Sequence, residues 1–366
     1  QLKGKDGKPF IVAVYNLDPD PSKKGEPLEG PIPLMIWDKE EGWRRVTLKT
    51  LRRLAGLNNI GTEGSGWLFG DSEASRLVSE QVDSVTVSDF RWKDVEPIRG
   101  EFNFSSLDRQ ISKWASKGIQ IRVQGVVDVG SWALPSWLKN GNYSREELEQ
   151  IIRDHVTAVI NYGKERGIRE WVIIGEPYLL KYRQDDIFYR VFQNYDYIEV
   201  AYQAAREADP SAVLIYNDTD NHTPYGLTTS LTRKIVTRLR DKKLLDAVGI
   251  EGHIGDWVRV PNENDVVNTL RSYEVPVLIT EFDYNLKGVT ENRYLEQAKV
   301  YGLFFRAALK AGVKDFTFWG LDDRNSWLEK SLHQPDADPA MFDANLNPKP
   351  AYYVINQVLL ELTSRN

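Results

Sequence analysis

Two stretches of this chain run through apolar residues and stop at a carboxylate. They are Trp171-Val-Ile-Ile-Gly-Glu-Pro177 and Val275-Pro-Val-Leu-Ile-Thr-Glu-Phe-Asp283. An unbroken apolar run of this length, rich in β-branched residues, suits a strand covered on both faces, as in a parallel sheet. Gly175 permits close backbone approach, and Pro177 stops the ladder by removing a donor. Glu176 is therefore delivered at the carboxyl end of its strand, and Glu281 in the same way. In parallel α/β folds that end is where ligands bind. A single strand-end Glu is as readily an ion-pair partner as a catalyst. Two of them on similar strands, in a chain with 11 Trp, suggest a working pair, the recurring device of glycoside hydrolysis.

The elements that must position this pair follow from periodicity. From about residue 47 onward, strand and helix signals alternate. Strands are expected at 59–62, 84–88, 119–127, 171–175, 212–216, 247–250, 275–281 and 315–319. Helices are expected at 47–55, 71–81, 107–117, 144–167, 197–209, 227–243, 263–274, 291–311 and 351–362. Ser144-Arg-Glu-Glu147 is a capping box that opens the long helix toward Gly167. About eight strands, each followed by a helix, argue for an α/β fold of the (β/α)₈ barrel type. An open doubly wound sheet is the runner-up, but no glycine-rich phosphate loop follows the first strand. On the barrel count Glu176 ends strand 4 and Glu281 strand 7, so both reach into one mouth. Residues 1–45 do not fit the repeat. They read as an extension with strands at 9–15 and 32–37, packed on a barrel spanning 46–366.

Composition excludes several classes. The 366 residues carry a net charge of −6, and the pI is about 5.5, unlike the basic footprint of a nucleic-acid binder. No apolar run approaches the roughly 20 residues of a membrane helix. There is no cysteine, hence no disulfide or thiolate chemistry, and the four histidines at 155, 222, 253 and 333 lack metal-ligand spacing. No metal or other cofactor is expected, and a barrel aldolase would need a strand-end Lys that is absent. The 11% aromatic content fits a large core or sugar-stacking platforms equally. The polar start shows no signal peptide, yet a chain beginning with Gln looks processed, so secretion is expected.

Several motifs together resemble glycoside hydrolase family 10, the retaining endo-β-1,4-xylanases. They are Ile279-Thr-Glu-Phe-Asp283, Phe316-Thr-Phe-Trp-Gly320, Asn325-Ser-Trp327, Gly249-Ile-Glu-Gly-His253, Arg91-Trp92 and Leu134-Pro-Ser-Trp137. The likeness runs from about residue 48 to 362. It implies a (β/α)₈ hydrolase, expected to act as a monomer on a polysaccharide or oligosaccharide. It also implies Glu281 as nucleophile and Glu176 as general acid/base, with the carboxyls about 5 to 5.5 Å apart. Charge on Glu281 would keep Glu176 protonated until the covalent bond forms. His253 matches a histidine that orients the nucleophile, and Trp319 and Trp327 match aromatics around the cleaved bond. Arg91, Trp92, Gln124, Asn217 and Glu251 complete the expected substrate-binding set. Asn217 reads equally as a strand-end turn residue. The segment after strand 4, 181–195, and Arg259 and Trp257 after strand 6 read as cleft walls or as surface.

The departures from that family are as informative. Gly175 stands where the family has Asn, which holds the sugar 2-hydroxyl. The stretch Arg122-Val-Gln-Gly-Val-Val-Asp-Val-Gly-Ser-Trp132 lacks the family's histidines, Arg91 replaces a Lys, and Glu251 replaces a Gln. Val87 and Ser88 stand where a Glu-Asn pair is usual. The subsite for the reacting sugar is thus expected to be rebuilt, for a sugar altered at the 2-position or bulkier than xylose. Arg91 and Glu251 paired with each other would be the bland alternative. A non-catalytic carbohydrate-binding barrel, or a glycanase acting on mannan or glucan, is the competing reading.

Overall fold

The computed structural model describes residues 59–363 except 65–67, 69, 89, 131, 179–185 and 256–257, together with Leu51 and the backbone of three short strands before it. Those strands, β1 (Ile11–Val12), β2 (Leu34–Asp38) and β3 (Gly42–Val46), form an antiparallel sheet of their own. β1 falls within the strand expected at 9–15 and β2 overlaps the one expected at 32–37, whereas no strand is expected at β3. Its sequence, Gly42-Trp-Arg-Arg-Val46, is too charged to read as a strand, but a short return after β2 sets Trp43 opposite Trp37. Of the helix expected over 47–55, only Leu51 lies among the described residues, and it is helical.

The rest closes on itself. Strands β4 (Asn59–Glu63), β5 (Ser84–Val87), β6 (Gln120–Asp128), β7 (Glu170–Gly175), β8 (Val213–Asp218) and β9 (Ala247–Ile250) pair in parallel and in sequence. After the two-residue β10 (His253–Ile254) come β11 (Val277–Tyr284) and β12 (Asp315–Phe318). β11 pairs with β9 and with β12, and β12 pairs with β4, which completes an eight-stranded parallel (β/α)₈ barrel. β10 extends beside β11, with His253 opposite Asp283.

Burial on both strand faces explains the apolar runs. Trp171, Ile173 and Ile174 belong to the main core under the helices, while Val172, Ile215 and Ala247 form a separate cluster with Leu278. These four come from neighbouring strands, β7, β8, β9 and β11, and pack apart from the main core. The helix Arg145–Glu165 has the expected capping box and buries Leu148, Ile151, Ile152, His155, Val156, Val159 and Ile160 on one face. Its Gly163 lets Trp171 pack close, since a Cβ there would fall 2.4 Å from the indole. This contact seats the strand that carries Glu176. At the opposite end of the strands, buried Arg122 bonds Glu170 and Asp315, at 2.8 and 2.7 Å. Among the described residues no helix is long and apolar enough to cross a membrane.

Candidate active site

A cavity of about 630 Å³ opens at the carboxyl ends of the strands. Its lining includes Glu176, Glu281, Arg91, Gln124, Glu251, His253, Trp319 and Trp327. The structure thus brings eight of the ten expected site residues to one place.

Glu281 sits on β11 and is 5% exposed. Its Oε1 accepts from Gln124 Nε2 and from Asn217 Nδ2, both at 2.7 Å. Its Oε2 lies 3.4 Å from His253 Nε2. Three side chains from β6, β8 and β10 therefore fix both oxygens of one carboxylate. His253 is aimed in turn by Asp283, whose Oδ1 lies 2.8 Å from Nδ1, and Asp283 Oδ2 accepts from Trp327 Nε1 at 2.7 Å. Burial alone would depress the His253 pKa. The charges and hydrogen bonds of Asp283 and Glu281 outweigh it and raise that pKa well above the ordinary value.

Glu176 follows β7 and reaches the same cavity from across the barrel. Its backbone is left-handed, with φ 47°, and its N–H donates to the Asn217 carbonyl at 3.3 Å. A non-glycine residue held there stores about 1–3 kcal/mol of strain, a cost that recurs where a side chain must be aimed at a site.

Asn217 is wholly buried and acts from behind the cavity. Its amide nitrogen also donates to Glu251 Oε1 at 2.9 Å, and its oxygen accepts from Thr280 Oγ1 at 2.5 Å. The two open readings of Asn217, a sugar contact or a strand-end turn, both give way to a strut between two carboxyls. Burial first, then the charges of Glu176 and Glu281, push the Glu251 pKa well above the ordinary carboxylate range. Burial beside two catalytic candidates thus favours the protonated form of Glu251.

Two expectations are corrected. Trp92 does not reach the cavity. It is buried beneath it, donating Nε1 to Glu96 Oε2 at 2.9 Å and stacked on His155 with ring centroids 3.8 Å apart. Adjacent residues opening a helix point in different directions, so Arg91 faces the cavity and Trp92 the core. Nor does Arg91 pair with Glu251. Its Nη1 donates to Asp128 Oδ2 at 2.9 Å, and its guanidinium lies 4.7 Å from the Trp132 ring centroid.

Comparisons with known proteins give the family of this barrel. The profile of Glycosyl hydrolase family 10 matches residues 47–358. An endo-1,4-beta-xylanase B of Thermotoga neapolitana is 30% identical over 305 residues, spanning 81% of this chain and 86% of that one. An endo-1,4-beta-xylanase B of Humicola insolens is 27% identical over 336 residues, 88% of each. The native xylanase 10B of Thermotoga maritima superimposes with a TM-score of 0.76 at 25% identity, covering 87% of this chain and all of that one. The chain belongs to glycosyl hydrolase family 10. It is a glycoside hydrolase of a retaining family, diverged from these relatives.

Within this family-10 barrel, the cavity lining also includes Asp283, Asp128 and Trp132, which are not among the expected site residues. Asp283 was visible, two residues after Glu281, where strand alternation turns both to one face. Asp128 is the last residue of β6 and follows an apolar pair, Val126-Val127, much as the two glutamates follow apolar runs. Trp132, 51% exposed, had no local signal that set it apart. Trp257 and residues 181–185 lie outside the described residues, and Arg259 is exposed. Asp186, just beyond, accepts from Gly130 N–H at 2.9 Å and ties the loop after β7 to the one after β6.

Proposed function

We propose that this chain is a retaining β-1,4-glycanase acting on a xylan-type polysaccharide, with a rebuilt subsite for the reacting sugar. The observation that carries the reading is the Glu281 carboxyl, fixed by Gln124, Asn217 and His253, with Glu176 entering the same cavity from the other side. Glu281 attacks the anomeric carbon as Glu176 gives its proton to the leaving oxygen. Glu176 then takes a proton from water, which releases the sugar with its configuration retained. Gln124 and Asn217 hold Oε1 of Glu281 and His253 faces Oε2, so little reorganisation is needed at the moment of reaction. Burial and the neighbouring carboxyls raise the Glu251 pKa, which weakens any repulsion from it.

The rebuilt subsite rests on Gly175, Arg91 and Glu251. All three line the cavity, and none supplies the amide, ammonium or amide group of the family pattern. A polymer cannot enter a cell, so the enzyme would work after export. The relatives named xylanases support the xylan backbone as substrate.

The test is reducing-sugar release from xylan, substituted xylans, mannan, mixed-linkage glucan and cellulose, with Glu281→Gln run beside the wild type. Activity is expected on xylan-type chains and should fall at least about 10⁴-fold in the variant. Binding of a glycan without hydrolysis would favour a non-catalytic barrel. A marked preference for mannan or glucan would refute the xylan assignment.

A further inference from the structure

Gly175 leaves a recess in the wall of the cavity. Among the described residues, a Cβ built on it meets no atom within 4 Å, so none of their side chains takes up the space. Its φ is not in the left-handed region, so the backbone does not demand glycine. In the barrel register Gly175 stands between Asp128 on β6 and Asn217 on β8. Asn217 faces the carboxyls. On the other side, Asp128 holds the Arg91 guanidinium, and Trp132 lies against that guanidinium. The recess therefore borders a cation with several N–H donors and an exposed indole face.

We propose that this recess receives an acyl substituent, an acetyl ester in the simplest case, carried by the sugar bound between Glu176 and Glu281. The inference rests on the glycanase reading above. An ester carbonyl accepts N–H donors of the Arg91 type, and its methyl packs on an aromatic face such as Trp132. A uronate carboxylate suits the site less. Asp128, Asp283, Glu176 and Glu281 line the cavity against Arg91 and His253, and this excess of acids disfavours an anionic substituent.

The sugar whose anomeric carbon is attacked becomes the reducing end of the released product. Acetylated xylan, the same polymer after chemical deacetylation, and a glucuronoxylan are digested, and the products are sequenced by tandem mass spectrometry. Wild type is expected to release oligosaccharides acetylated on the reducing-end residue. Gly175→Asn, which fills the recess, should lower the acetylated-to-deacetylated ratio of kcat/KM by about tenfold or more. Gly175→Ala should fall between, with both variants melting near the wild type. Reducing ends that are always bare in wild-type digests would overturn the inference while leaving the glycanase reading intact. So would an unchanged ratio in Gly175→Asn, or uronate in place of acetyl at the reducing end. If the wild type cleaves none of the polymers, the glycanase reading fails and the inference falls with it.

Discussion

At the scale of single residues, the organising fact is one amide. Asn217 gives both its N–H donors to carboxyls, one to Glu281 and one to Glu251. Burial, with negative neighbours beside it, lets Glu251 keep its proton well above the ordinary carboxyl value of 4.5. In the unfolded chain it would lose that proton near 4.5. The folded state thus binds the extra proton, and the stability Glu251 allows is greatest below pH 4.5 and falls as pH rises toward its folded value. Glu251→Gln keeps the shape and removes the titration. Its melting temperature relative to wild type should climb as pH is raised from 5 to 9, and a difference independent of pH would show that Glu251 is ionised in the fold. His222 carries the opposite sign. Burial, and then the charge of His253, lower its pKa from 6.5 to about 4, and among the described residues neither ring nitrogen has a partner. Unfolding takes up a proton there, so stability drops as pH falls from 6.5 toward 4, by about 3 kcal/mol. Replacing His222 with Phe should flatten the acid side of the melting curve, and a variant as acid-sensitive as wild type would contradict this.

At the scale of elements, strand ends carry chemistry at one end of the barrel and cohesion at the other. Arg122 on β6 is almost wholly buried and bridges Glu170 of β7 and Asp315 of β12. Removing one member of a buried ion cluster leaves the others uncompensated. Arg122→Met should cost about 3 kcal/mol in chemical denaturation, with KM unchanged because the cavity lies at the far end. A fall in kcat/KM without a loss of stability would place Arg122 in the site instead. The alternation of elements was legible because each barrel strand is covered on both faces and each helix on one, so both periods survive in the sequence. Glu176 and Glu281 were legible for the same reason, each ending an apolar run. What lay hidden was direction and partnership. That Trp92 turns inward while Arg91 faces the cavity depends on the start of a four-residue helix. That Arg91 meets Asp128 rather than Glu251 depends on neighbouring strands, which the linear sequence does not order in space.

At the scale of the whole molecule, the fold keeps the barrel of its family and brings Glu176 and Glu281 to one cavity. The side chains that hold the Glu281 carboxyl come from β6, β8 and β10, so closing the barrel is what assembles them. No single element holds the site, and losses in any of these strands should reach the chemistry together. The most direct measurement is proton NMR of the anomeric signals during early hydrolysis of a xylo-oligosaccharide, before mutarotation mixes the two forms. The account predicts that the β-anomer appears first. First appearance of the α-anomer would mean a single displacement by water, and Glu281 would then not be the nucleophile.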